Sequence, residues 1–140
     1  MQANSIVQAV LFFILLGLMA YVDIKRREIP GTLCVLMALI SLIDFEAVNI
    51  FGILAALPFF VAAMVNPSGM GGGDIKLTAA AGLVLGLWKT LIGVAFGLTA
   101  VIVFHGLKML FHRIKYKGAG SKAYPLAPFL MLGFICAYFF

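Results

Sequence analysis

Acidic side chains are scarce in this chain. Asp23, Glu28, Asp44, Glu46 and Asp74 are the only five among 140 residues, and all charged residues together make up 11%. A soluble domain carries about 25% charged and about 45–50% apolar residues. Here hydrophobic residues reach 64% and the mean hydropathy is +1.17. This shortage of charge excludes an ordinary soluble domain and points to a polytopic membrane protein, with one compact domain over residues 1–140 as the natural size. Cysteine is sparse too. Cys34 and Cys136 stand inside apolar runs with no C-x-x-C pair and no metal-ligand spacing, which argues against a zinc site and reads as two small core residues. The phosphate-binding pattern G-x-x-x-x-G-K-[ST] is missing. His105 and His112 have no serine or cysteine nucleophile near them in an evident motif, and read as satisfied or interfacial side chains. No repeat or low-complexity tract stands out, and no cofactor is expected.

What the chain has in abundance is apolar sequence. Six segments run over about 5–22, 31–44, 48–65, 75–87, 89–111 and 123–140. Open backbone groups are not tolerated in lipid, so these segments are expected to be helices. They are continuously apolar and lack the alternation of a membrane barrel strand. The fold class is therefore an all-α membrane bundle of about six transmembrane helices. The second and fourth segments are short for a span of about 20 residues. Residues 5–22 resemble a signal-peptide core, but Lys25-Arg26-Arg27 follow the apolar run instead of preceding it, which predicts a retained span.

The net charge is +5, and the basic residues lie between apolar runs. That placement reads as loop orientation rather than nucleic-acid binding. Lys25, Arg26, Arg27, Lys76, Lys108, Arg113, Lys115, Lys117 and Lys122 all fall on one side if six helices alternate, and Lys89 alone falls on the other. The positive-inside rule then places the first group in the cytoplasm and both termini outside it. The basic stretch of about 112–122 reads as a linker held near anionic lipid heads.

This orientation sorts the acids. Asp23 closes the first segment and Asp74 opens the fourth, both at the cytoplasmic face. Asp44 and Glu46 sit at the opposite face, and Glu28 lies in a charged loop beside Arg26 and Arg27. An acid within a bilayer is unfavourable by about 2.5–3.5 kcal/mol at a helix centre, so a retained one marks function by default. Two close carboxyls cannot both ionise readily. One keeps a proton and polarises a carbonyl, while the other takes a proton from water, as in aspartic proteases. The loop Gly69-Met70-Gly71-Gly72-Gly73-Asp74-Ile75-Lys76-Leu77 supports either of two readings. Gly71 and Gly73 shape a side-chain-free approach for an extended substrate beside Asp74, or the loop is a turn whose Asp74 caps the next helix. Lys76 biases the Asp74 charge, or touches substrate, or snorkels to the lipid surface. Pro30 suits the first turn of the second helix.

The block Asp23-Ile24-Lys25-Arg26-Arg27-Glu28-Ile29-Pro30, followed by Gly71-Gly72-Gly73-Asp74-Ile75-Lys76-Leu77, resembles the type IV prepilin peptidases, intramembrane aspartyl proteases of the GxGD kind. The tail Ala123-Tyr124-Pro125-Leu126-Ala127-Pro128-Phe129-Leu130 is similar to the family's proline-containing stretch at the last helix. The resemblance implies that Asp23 and Asp74 are the catalytic pair. It implies a substrate that is a pilin-like precursor, with a basic leader in the cytoplasm and an apolar helix in the inner membrane. Bifunctional members carry a cytoplasmic zinc-binding domain with cysteine pairs, associated with N-methylation. Nothing in these residues corresponds to it, so a short peptidase-only member is expected. The family often has asparagine after the Ile-Pro pair, where Gly31 stands. Two alternatives stay open: a preflagellin-type peptidase of the same chemistry, and a non-enzymatic small transporter or assembly subunit.

Overall fold

The computed structural model describes residues 2–68, 71–115 and 126–140. Gly69 and Met70, the basic residues Lys117 and Lys122, and Ala123-Tyr124-Pro125 lie outside the described residues. The described secondary structure is all helical, as expected: α1 (Gln2–Arg26), α2 (Gly31–Ile40), a 3-10 helix (Ala47–Ala56) running into α3 (Leu57–Val65), α4 (Gly72–Leu85), α5 (Leu87–Lys115) and α6 (Ala127–Phe139). Three stretches, Ala3–Arg26, Ala47–Val65 and Leu87–Phe111, are long and apolar enough to cross a membrane. At 1.5 Å per residue, α2, α4 and α6 reach only about 15, 21 and 20 Å.

The structure moves several expected boundaries. α1 continues through Asp23, Lys25 and Arg26 instead of stopping at residue 22, because basic side chains in a last turn suit the negative end of the helix dipole. Arg27 ends it, in the left-handed region at φ 55°, with its N–H donated to the Asp23 carbonyl at 2.7 Å. α2 stops at Ile40, four residues early, and α5 runs to Lys115, into the stretch expected to be linker. Pro30 stands just before the first turn of α2, and its carbonyl accepts from Leu33 N–H at 3.1 Å. The third segment is one span built of two helix types. The chain is tight 3-10 up to Ala56 and α-helical afterwards, with Pro58 in the first turn of α3, where a missing N–H is tolerated. A 3-10 helix rises about 2.0 Å per residue, so these 19 residues reach roughly 33 Å, enough for a hydrocarbon core of about 30 Å.

Lipid tails are as apolar as leucine, so helices in a bilayer associate through close packing and not through water release. Two glycine crossings supply it. A Cβ on Gly82 of α4 would lie 2.1 Å from the Gly52 carbonyl oxygen, and one on Gly133 of α6 would lie 2.0 Å from the Gly93 carbonyl oxygen of α5. Only bare backbones fit there. The core is formed by Phe12, Leu16, Met19, Met37, Leu77, Leu130 and Phe134, all fully buried. Cys34 is buried, but Cys136 is exposed and not a core residue as expected; both are free thiols.

Contacts fix which helix ends lie together. Gln8 Nε2 of α1 donates to the Ile40 carbonyl of α2 at 3.2 Å, and the Ser5 hydroxyl bonds the Asp44 carboxylate. Asn49 meets the Gly86 turn after α4, and Lys89 Nζ lies 5.7 Å from the ring centre of Tyr138. These residues mark one end of the bundle. The starts of α2, α4 and α6 and the end of α1 mark the other.

Candidate active site

Asp23 is placed by the helical period of α1. Phe12, Leu16, Met19 and Asp23 recur at three- and four-residue steps and are all buried, so Asp23 ends the stripe that faces the core. Tyr21 and Ile24 on the other faces are exposed. Only 6% of Asp23 is exposed, and its Oδ2 accepts a hydrogen bond from the Ala127 backbone N–H at 3.1 Å. That donor belongs to the first residue of α6, 104 positions along the chain.

Asp74 is placed by α4 in the same way. Asp74, Thr78, Ala81 and Leu85 share one face, and the last three are buried. Asp74 itself is partly buried in the first turn. Its N–H donates to the Gly71 carbonyl at 3.1 Å, and the Thr78 hydroxyl donates to its carbonyl at 2.8 Å. The two carboxylates lie within electrostatic reach of one another. The structure thus brings Asp23 and Asp74 to one end of the bundle. It puts Asp44 beside Ser5, eighteen residues and roughly 27 Å along α1 from Asp23. Glu28 and Glu46 are exposed.

The glycines around Asp74 differ in role. Gly71 and Gly72 are exposed; a Cβ on Gly71 would make ordinary contact, 3.7 Å from Asp74 Oδ2, and one on Gly72 would touch nothing within 4 Å. Gly73 faces inward, where a Cβ would lie 2.9 Å from Ile29 Cβ and 3.2 Å from Ile29 N. Ile29, 8% exposed, belongs to the connector between α1 and α2. The Asp23 block and the Asp74 block are therefore packed against one another through Ile29 and Gly73. Lys76 is exposed and within electrostatic reach of Cys34 on α2. Among the described residues no three His, Cys, Asp or Glu side chains gather so as to hold a metal ion.

Reading the sequence alone did not single out the Ala127 amide or the Ile29 side chain as parts of the site. A backbone donor leaves no residue signature, and an isoleucine in an apolar chain carries none. The only sequence clue to the first was Pro128, which starts α6 at that point.

Residues 10–107, which include both acids, match the type IV leader peptidase family. The chain belongs to that family. A prepilin leader peptidase/N-methyltransferase of Bacillus subtilis is 31% identical over 148 aligned positions, covering 94% of this chain. Prepilin peptidase EppA of Methanocaldococcus jannaschii is 41% identical over 71 positions, covering 49% of this chain. The alignments take in 55% and 20% of those two relatives, so the chain spans about half the length of the first and a fifth of the second. No solved structure matches.

Proposed function

We propose that this chain is an intramembrane aspartyl endopeptidase that removes the basic leader from type IV pilin-like precursors. Asp23 and Asp74 act as the acid and base on one water. The observation that carries this reading is the convergence of two carboxylates, from α1 and α4, at one end of an apolar bundle in a member of the leader peptidase family. One carboxylate takes a proton as the water oxygen bonds to the scissile carbonyl carbon. The other, protonated, donates to the carbonyl oxygen. Collapse of the tetrahedral adduct breaks the C–N bond, and the departing amine receives a proton from the pair. Gly71 and Gly72 leave the approach to Asp74 free of side chains, which suits an extended peptide backbone.

The active end faces the cytoplasm of the inner membrane, and both termini face away from it. The support is the charge bias: Lys25, Arg26, Arg27 and Lys76 belong to the end that holds the acids, and Lys89 to the other. A precursor whose leader is basic and whose following helix is apolar presents its scissile bond at that level. A proton-relay transporter needs acids with water access from both faces, and pairing at one end counts against it.

Co-expression with a pilin precursor tests the reading. Wild-type protein shortens the precursor by its leader; Asp23→Asn and Asp74→Asn each leave it full length while the protein still inserts. Normal processing by either variant overturns the two-acid assignment.

A further inference from the structure

The hydrogen bond between Asp23 and Ala127 links the two most distant described helices of the chain through a group the two-acid chemistry does not use. α6 starts unusually. Pro128 has no N–H, and Phe129 and Leu130 both donate to the Leu126 carbonyl, at 3.1 and 3.0 Å. Of residues 127–130, Ala127 alone has a backbone donor not engaged with the helix, and that donor meets Asp23 Oδ2. First-turn donors of a helix need a partner, and the positive end of the helix dipole suits a carboxylate. Ala127 is 1% exposed, so water does not supply the partner. α6 carries no charged side chain that would compete for Asp23.

We infer that the Ala127 amide is a positioning group for the reaction: it ties Oδ2 of Asp23 to the start of α6, so that Oδ1 is the oxygen presented to water and the scissile bond. This inference rests on the proposed function, since it names what aims one of the two acids. An Asp side chain has two rotatable bonds. Fixing one oxygen by a hydrogen bond from an immobile backbone removes most of that freedom before substrate arrives. Catalytic groups displaced by about 1 Å lose on the order of a hundredfold in rate. Pro128 belongs to the same device. It restarts the helix without adding a second donor that would bond the other oxygen.

Ala127→Pro removes the N–H; it also strains Leu126, whose helical backbone (φ −84°, ψ −28°) is disfavoured before proline, so its kinetics are read together with the exchange measurement below. Ala127→Gly keeps the donor and is the control. The expected result is a kcat lower by about ten- to a hundredfold in Ala127→Pro with KM within about twofold of wild type, and near-wild-type kcat in Ala127→Gly. Wild-type kcat in Ala127→Pro overturns the inference, as does an equal loss in Ala127→Gly. A second measurement does not depend on Ala127→Pro folding. In 15N-alanine-labelled protein in micelles, the Ala127 amide, identified by the signal missing from Ala127→Gly, should be protected from hydrogen exchange. It should exchange about tenfold faster or more in Asp23→Ala, and unchanged in Asp44→Ala. Exchange that ignores Asp23 overturns the inference. The two readings fail separately: if Asp23→Asn still processes precursor the acid pair is wrong, whereas if only Ala127→Pro is active the acid pair stands and the positioning role falls.

Discussion

Ile29 occupies the space that a side chain on Gly73 would need. A Cβ there would lie 2.9 Å from Ile29 Cβ, closer than such atoms approach in folded proteins. The contact joins the connector that follows Asp23 to the turn that carries Asp74. It sets the register between two acids that come from helices with no direct sequence neighbourhood.

Gly73→Ala is therefore expected to act on activity as well as on stability. Overpacking of this kind is unfavourable by about 1–3 kcal/mol, and the displaced first turn of α4 carries Asp74 with it. Adding Ile29→Gly to Gly73→Ala should restore part of both losses, since it removes the Ile29 Cβ that the new methyl group would meet. The rescue is incomplete because Ile29 N also lies 3.2 Å from the new Cβ. Thermal unfolding in detergent and leader removal, measured on the four proteins of the cycle, check this; strictly additive effects would sink it.

The glycine crossings are expected to be far less forgiving. Gly82→Ala forces a Cβ to within 2.1 Å of the Gly52 carbonyl, where backbone and not a flexible side chain is the obstacle. The protein should fail to accumulate as a folded, detergent-stable species. Gly31→Ala is the matched control. It meets nothing within 4 Å at the start of α2 and should be neutral or stabilising by up to about 1 kcal/mol. Size-exclusion profiles and melting temperatures separate the two outcomes.

Sidedness is open to direct labelling. With Cys34 and Cys136 replaced by alanine, Gly72→Cys and Glu46→Cys place single exposed thiols at opposite ends of the bundle. A membrane-impermeant maleimide should label Gly72→Cys from the cytoplasmic side alone and Glu46→Cys from the other side alone. Labelling of both from one side would contradict the alternation of the helices.

Arg27 is the one described non-glycine residue with positive φ. Left-handed backbone is unfavourable for such residues by about 1–2 kcal/mol. Arg27→Gly should raise the melting temperature modestly while keeping the Asp23 carbonyl bond, because that bond uses the backbone N–H. A lower melting temperature would show that the arginine side chain stabilises the turn by more than its conformation opposes it.

The helical class, the six apolar segments and the pairing of Asp23 with Asp74 at one end were legible in the sequence, because charge is so sparse that each charged residue carries positional information. Asp44 could be set apart from them for the same reason. The lengths of the elements were less legible. Lys25 and Arg26 look like loop residues until the dipole at the end of α1 is considered, and nothing apolar distinguishes a 3-10 run from an α-helix before Pro58. Gly93 and Gly97 stand four apart in the manner of a close helix crossing, a pattern open to reading from sequence. The packing of Ile29 on Gly73 and the reach of the Ala127 amide were not legible, since both depend on how distant segments fold back.

The brevity of α2, α4 and α6 has a bearing on the surrounding lipid. These helices are about 9–15 Å shorter than the hydrocarbon layer of about 30 Å that α1, α5 and the Ala47–Val65 span can traverse. Acyl chains beside them must compress or leave a dimple that admits water toward the acids. Bilayer thickness thereby becomes a variable of the chemistry: reconstitution in progressively longer-chain phosphatidylcholines should slow leader removal without altering the fold.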